Sequence, residues 1–301
     1  MPELMAAVTL GRIGIWTTAL DFQPAAQAQQ AAAQLEALGY GAIWIGESVR
    51  REVFANAAIL LSGTRRIVIA SGIANIYARD PWTMAAGQKT LAEAFPDRFL
   101  LGLGVSHAAS VESRGHDYRK PIETMRAYLD AMDKAPFQAA PPKDEPRRVL
   151  AALGPRMLAL ARDRSWGAHP YFVPVEHTRR AREILGRDRL LAPEQAVVLE
   201  TDPDRARSIA RGHTKSYLAL PNYANNLRRL GYSEGDLAEA GSDRLVDDVV
   251  AWGDPGAIAR RVDEHRGAGA DHVCIQVLSE DRRALPMAQW RALADALLTR
   301  A

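Results

Sequence analysis

Asp97-Arg98-Phe99-Leu100-Leu101-Gly102-Leu103-Gly104-Val105-Ser106-His107 is the stretch that decides the fold. The apolar run from Phe99 ends in a glycine-spaced tail, the pattern of a strand buried on both faces. Such strands belong to parallel sheets covered on each side by helices. Gly102 and Gly104 leave no side chain where the strand ends, so a ligand can approach the backbone there. Ser106 and His107 place a hydroxyl and an imidazole at that opening. Gly-x-Gly by itself is a weak motif, equally compatible with a plain strand-to-loop exit. The neighbouring segments therefore have to be read with it.

Working outward, the same strand-then-helix rhythm recurs on both sides. Strands are expected over 12–17, 42–45, 67–70, 149–153, 167–173, 195–199 and 272–277. Helices are expected over 24–38, 54–61, 122–132, 156–164, 176–185 and 288–298, with further starts at Asp80-Pro81 and Asp202-Pro203. An Asp N-cap followed by proline at the first helical position is a start signal, and Gly39 is a stop signal. Alternation of this kind means parallel strands with helical crossovers. Eight such units in 301 residues fit one α/β domain over 1–301, a closed (β/α)8 TIM barrel, better than two doubly wound halves. The irregular segment 214–252 reads as a helical insertion before the last strand, outside the barrel wall and partly roofing one rim.

Composition narrows the function. With 38 basic and 36 acidic residues the net charge is +2, which gives no general affinity for polyanions, and no basic stripe with interleaved aromatics suggests a nucleic-acid partner. The single cysteine, Cys274, rules out an intramolecular disulfide and reads as a buried, inert thiol. No secretory signal pattern or apolar run of membrane-spanning length occurs, so a soluble cytoplasmic protein is expected. His107 and His169 are too isolated to suggest a metal site. No nucleophile elbow, Walker A loop or dinucleotide fingerprint is present.

In this fold, chemistry sits at the C-terminal ends of the strands. That rule selects Trp16, Glu47, the run Ser71 to Asn75, Ser106, His107, Gly154, Pro155, His169 and Tyr171. Glu47 has two readings, a surface carboxylate or a site group. Trp16 is core or pocket wall, and His169 and Tyr171 either fill the barrel interior or face a ligand. Arg79 reads as a structural partner near the helix that starts at Pro81, and Lys89, Lys134 and Lys215 as solvated. Gly154-Pro155-Arg156-Met157 enters a helix, where unpaired N–H groups and the positive dipole end favour an anion. An imidazole at His107, with an ordinary pKa of about 6.5, suits proton transfer in both directions near neutrality.

At these positions the chain resembles a family. Gly72-Ile73-Ala74-Asn75-Ile76-Tyr77-Ala78-Arg79-Asp80-Pro81, then Asp97-Arg98-Phe99 with Leu101-Gly102-Leu103-Gly104, is similar to the bacterial luciferase-like flavin and deazaflavin oxidoreductases. So are Leu153-Gly154-Pro155-Arg156-Met157, Trp166-Gly167-Ala168 and Ala268-Gly269-Ala270-Asp271-His272-Val273. The resemblance covers nearly the whole chain and is strongest to the actinobacterial oxidoreductases that use coenzyme F420. It implies hydride transfer between F420 and a small organic substrate. It places the cofactor against Gly72, Ile73, Ala74, Asn75, Gly104, Val105, Ser106, Leu153, Gly154, Pro155, Arg156, Met157 and His169, with the phosphate at the 154–157 helix entry. Trp16 and Tyr171 would border the substrate. His107 stands where deazaflavin relatives carry a proton-transferring side chain, often a carboxylate, and Glu47 would orient it or add a second carboxyl. The resemblance also implies a cis peptide at Gly72–Ile73 and, as often in this family, a homodimer. The alternatives are an FMN-dependent monooxygenase on the same fold and a non-catalytic flavin-binding protein.

Overall fold

The computed structural model describes residues 9–298. In chain order the first half runs β1 (Ile13–Trp16), α1 (Ala25–Leu38), β2 (Ala42–Ile45), α2 (Val53–Ser62), β3 (Val68–Ser71), β4 (Ala74–Asn75), α3 (Pro81–Ala94), β5 (Phe99–Gly104), α4 (Ala108–Glu112), α5 (Pro121–Asp133), β6 (Arg148–Leu150) and α6 (Pro155–Arg164). The second half runs β7 (Gly167–Ala168), α7 (Val175–Leu185), β8 (Leu190–Leu191), β9 (Glu194–Val198), α8 (Pro203–Leu218), α9 (Pro221–Arg229), α10 (Glu234–Leu237), α11 (Asp243–Val249), β10 (Val250–Trp252), α12 (Pro255–Gly267), β11 (Val273–Val277) and α13 (Met287–Leu297). The strands form one curled parallel sheet in the order β10-β9-β11-β1-β2-β3-β5-β6-β7-β8, with β4 beside β5. It is an α/β fold of TIM-barrel-like character. The run that carries β8 and β9 bonds on both sides: Ala192 N–H donates to Ala168 O and Glu194 N–H to Pro170 O, while Asp271 N–H donates to Leu191 O and Cys274 N–H to Pro193 O.

The two faces of the sheet are both apolar. Ala42 and Trp44 of β2, Val68 and Ala70 of β3 and Leu100 of β5 join Trp16, Val149 and Cys274 in an inner cluster. Ile43, Ile45, Ile69, Phe99, Leu101 and Leu103 point the other way, into the layer under the helices. Side chains alternate across a strand, so a strand with both sets apolar must be covered on both faces. Burial pushes the pKa of the Cys274 thiol up, as expected of an inert core thiol.

Most helix starts fall where the caps predict. Asp80 accepts from Trp82 and Thr83 N–H groups at the head of α3, and Asp202 accepts from Arg205 N–H at the head of α8. Three expectations need correction. The strand expected over 167–173 is only Gly167–Ala168, because Pro170 has no N–H for a ladder and Phe172 has a left-handed φ of 56°. The strand expected over 149–153 is Arg148–Leu150, giving way to the Gly154 N-cap of α6. Within 214–252 the chain is not only insertion. α8 runs on to Leu218, and β10 joins the sheet beside β9. A three-residue strand directly after a helix is too short to show a period. The short helix α4, which follows His107, was not expected either.

One cross-strand contact fixes the register next to the strand ends. Ser71 Oγ donates to Gly102 O at 2.9 Å and accepts from Gly102 N–H at 2.8 Å. A Cβ on Gly102 would collide with the Ser71 carbonyl oxygen. The residue is glycine because another backbone occupies the space of a side chain. Gly102→Ala should lower stability by about 1–3 kcal/mol, the usual cost of an overpacked core position, measured as a shift of the urea midpoint. An unchanged midpoint would show that β3 and β5 can separate freely here.

Candidate functional site

A cavity of about 1030 Å³ opens at the C-terminal strand ends. Of the residues expected at the site, Trp16, Glu47, Gly72, Ile73, Asn75, Gly104, Val105, Ser106, His107, Leu153, Gly154, Pro155, Arg156, Met157, His169 and Tyr171 line it. Ala74 does not. It is fully buried and pairs with Leu103 in the sheet, because β-strand alternation turns it away from its neighbours Ile73 and Asn75.

The floor is built by backbone held close to rings. Gly72 N–H donates to Ile45 O at 2.7 Å, Trp16 Nε1–H donates to Gly72 O at 3.1 Å, and the Gly72–Ile73 peptide is cis. A Cβ on Gly72 would lie 2.7 Å from Trp16 Nε1 and 3.0 Å from His169 Nε2, and one on Gly104 would lie 2.6 Å from Ile73 Cδ1. Real Cβ atoms do not pack that closely, so both glycines clear space for side chains of the floor.

His169 is 1% exposed, and its Nδ1–H donates to Ala192 O at 2.7 Å. Its ring stacks on Trp44 at 4.2 Å with planes 16° apart, and Trp44 Nε1–H in turn donates to His272 Nε2 at 3.1 Å. Burial lowers the His169 pKa to about 4, so the ring is neutral. With Nδ1 protonated, Nε2 carries a lone pair, and that buried atom has no partner. An orphaned buried acceptor on a cavity wall is a place for a ligand donor.

The remaining wall holds polar groups in fixed pairs. Glu47 accepts from Asn75 N–H at 2.8 Å and from Val53 N–H at 3.4 Å, and forms a two-pronged ion pair with Arg79. The side chains of Glu47 and Arg79 are only 5% and 9% exposed. Glu47 is therefore a buried, paired carboxylate, not a surface one, and Arg79 is its structural partner. His107 is held elsewhere, with Nδ1 3.1 Å from Asn222 Oδ1. Tyr171 donates its hydroxyl to Gln276 Oε1 at 2.7 Å and lies 2.9 Å from the Tyr217 hydroxyl. Behind it, buried Glu194 accepts from Phe172 N–H at 3.1 Å, and burial pushes its carboxyl pKa up to about 8. At the head of α6, Met157 N–H is taken by Gly154 O, while Arg229 Nη2 would stand 3.5 Å from a Cβ on Gly154.

A model of the luciferase-like monooxygenase family matches residues 5–272. The chain belongs to this family. Among its curated relatives is a provisionally named coenzyme F420-dependent oxidoreductase of Mycobacterium tuberculosis, 24% identical, with 92% of this chain and 97% of that protein covered. Two solved structures share the fold. One is an F420-dependent secondary alcohol dehydrogenase in complex with an F420-acetone adduct, with TM-score 0.76, 14% identity and coverage of 96% of this chain and 99% of that one. The other is the oxygenating constituent of 3,6-diketocamphane monooxygenase from Pseudomonas putida in complex with FMN, with TM-score 0.66, 16% identity and coverage of 94% and 95%.

Sequence reasoning missed Asn222, Tyr217, Tyr223, Gln276 and Arg229, all of which line the cavity of this luciferase-like chain. All but Gln276 come from α8 and α9, in the segment read as roof. The signal available was Pro221-Asn222-Tyr223, polar and aromatic residues directly after a helix-starting proline. The buried ion pair gives a stability prediction. Arg79→Ala should cost about 3–5 kcal/mol, because it strands the Glu47 charge out of water. Chemical denaturation measures it, and a loss below roughly 1 kcal/mol would mean that water reaches Glu47.

Proposed function

We propose that this protein is an oxidoreductase that transfers a hydride between coenzyme F420 and a small organic substrate, on a closed (β/α)8 barrel. The observation that carries the reading is the buried lone pair of His169 Nε2 on the floor of a cavity in a luciferase-like chain. The F420-named relative and structural neighbour favour that cofactor. Barrel closure is supported by the backbone bonds that residues 191–194 make to Ala168 and Pro170 on the β7 side and to Asp271 and Cys274 on the β11 side. The site fits a flat tricyclic ring on two counts: the orphaned acceptor of His169, and a cavity of about 1030 Å³ over the strand ends.

Gly72, Ile73 and Gly104 would support the ring, Asn75 and Ser106 would border it, and Gly154 with Arg156 would hold the phosphate at the head of α6. Bound F420 supplies a carbon that accepts or gives up a hydride. The chain itself supplies orientation, a cavity walled by Trp16, Tyr171 and Tyr217 that limits water, and a proton-transferring imidazole at His107. Glu47, tied into its ion pair, holds the ends of β2 and β4 in place.

FMN is the second reading, favoured by the FMN-bound neighbour. Incubating the purified protein with each cofactor and passing it through a desalting column separates the two. F420 should elute with the protein and FMN should not, and the reverse result would replace this reading with an FMN-dependent one. The proton-transfer role has its own test. His107→Ala should lower turnover by roughly a hundredfold or more, the scale of a lost general acid or base, while F420 retention changes little. Burial lowers the His107 pKa below its ordinary 6.5, offset in part by Asn222. Where the neutral ring is the base, turnover should therefore hold above that pKa and fall as pH drops through it.

A further inference from the structure

The insertion supplies something that the strand ends lack. α9 begins at Pro221, and its next two residues both meet His107. Asn222 Oδ1 lies 3.1 Å from Nδ1, and the Tyr223 ring centre lies 5.5 Å from that of the imidazole, with planes 48° apart. His107 itself is the N-cap of α4 and follows Ser106, whose φ is 58°. The ring is thus set by a turn on one side and clasped by a helix on the other.

An amide oxygen has no hydrogen to give. Its contact with Nδ1 is a hydrogen bond only when Nδ1 carries the proton. A neutral imidazole has one N–H, so Nε2 is then a bare lone pair. Nε2 has no partner among the described residues and is not sealed from solvent, and His107 lines the cavity. Burial is the main influence on the ring and the Asn222 bond the second, with no charged side chain contributing, so the neutral form prevails near neutrality.

We propose that Asn222 is a positioning residue that holds His107 in its Nδ1–H tautomer and so makes Nε2 the atom that takes a proton from the substrate. The proposal rests on the oxidoreductase reading above and specifies its substrate as a hydroxyl compound with hydrogen on the same carbon. The O–H bond breaks as the Nε2–H bond forms. The electron pair left on oxygen closes the C=O bond as the carbon's hydride passes to the oxidised deazaflavin, which is the oxidant. Asn222 touches neither reacting atom and acts only through the imidazole.

The test reads the tautomer directly. The full chain, labelled with nitrogen-15 in histidine, is studied by long-range proton–nitrogen correlation in mildly alkaline buffer. His107 is identified by the signals lost in His107→Ala. The native protein should show a protonated Nδ1 and a bare Nε2. Asn222→Ala should lose that preference, with the two nitrogen shifts moving toward each other. Asn222→Asp should keep Nδ1 protonated and move the His107 titration midpoint up by roughly one unit or more, because a carboxylate then faces the imidazolium. A native protein protonated at Nε2, or an Asn222→Ala spectrum identical to native, overturns the proposal. If Asn222→Ala does not fold, the native and Asn222→Asp spectra decide. None of these spectra needs F420. A protein that shows the tautomer but fails to retain F420 overturns the cofactor reading alone, and one that retains F420 with the opposite tautomer overturns this proposal alone.

Discussion

The carboxylate of Glu47 ties together the elements behind the strand ends. It follows β2, yet it accepts from the backbone at the start of α2 and from the backbone of β4, and it pairs with Arg79 just before α3. Arg79 is itself committed: its carbonyl accepts from the Tyr128 hydroxyl at 2.8 Å, and its guanidinium lies over the Phe54 ring at 5.1 Å. One buried charge therefore links two strand ends to three helices. The same commitment explains why Glu47 makes no hydrogen bond to His107, although both border one cavity. Its lone pairs are occupied by the scaffold.

With that corner fixed, the floor can be assembled from parts that would otherwise collide. Gly72 and Gly104 give up their side chains so that Trp16, His169 and Ile73 can occupy the space. His169 is held by stacking on Trp44 and by one backbone carbonyl, which leaves a neutral, buried acceptor without a partner at the floor. Rigid elements behind a site set its geometry more closely than mobile loops do.

How much of this was legible in the sequence depended on length and periodicity. The long strand at Phe99–Gly104 and the Asp-Pro helix starts announced themselves, because each carries several consistent signals. Two-residue β7 and three-residue β10 carry none, and Pro170 ends the former early. The strand-end rule found nearly all of the floor, while strand alternation turned Ala74 out of it. The cis Gly72–Ile73 bond was reached through family resemblance and not through any local pattern. Asn222 and Tyr217 escaped because α9 and the far end of α8 meet the site only through tertiary folding. The polar and aromatic start at Pro221-Asn222-Tyr223 is a local hint of that approach, and it carries no period.

Cys274 has a consequence for anyone working with this protein. It is the only thiol in the chain, it is fully buried in the inner cluster, and its sulfur lies 3.9 Å from His169 Nδ1 beneath the cavity floor. A thiolate is the reactive form, and burial disfavours it here. Native protein should thus be silent toward alkylating and disulfide-forming reagents, free of oxidative cross-linking on storage, and free of background when cysteines are introduced elsewhere for attachment of probes. The same thiol then serves as a built-in clock. Its rate of modification counts how often the centre of the sheet opens.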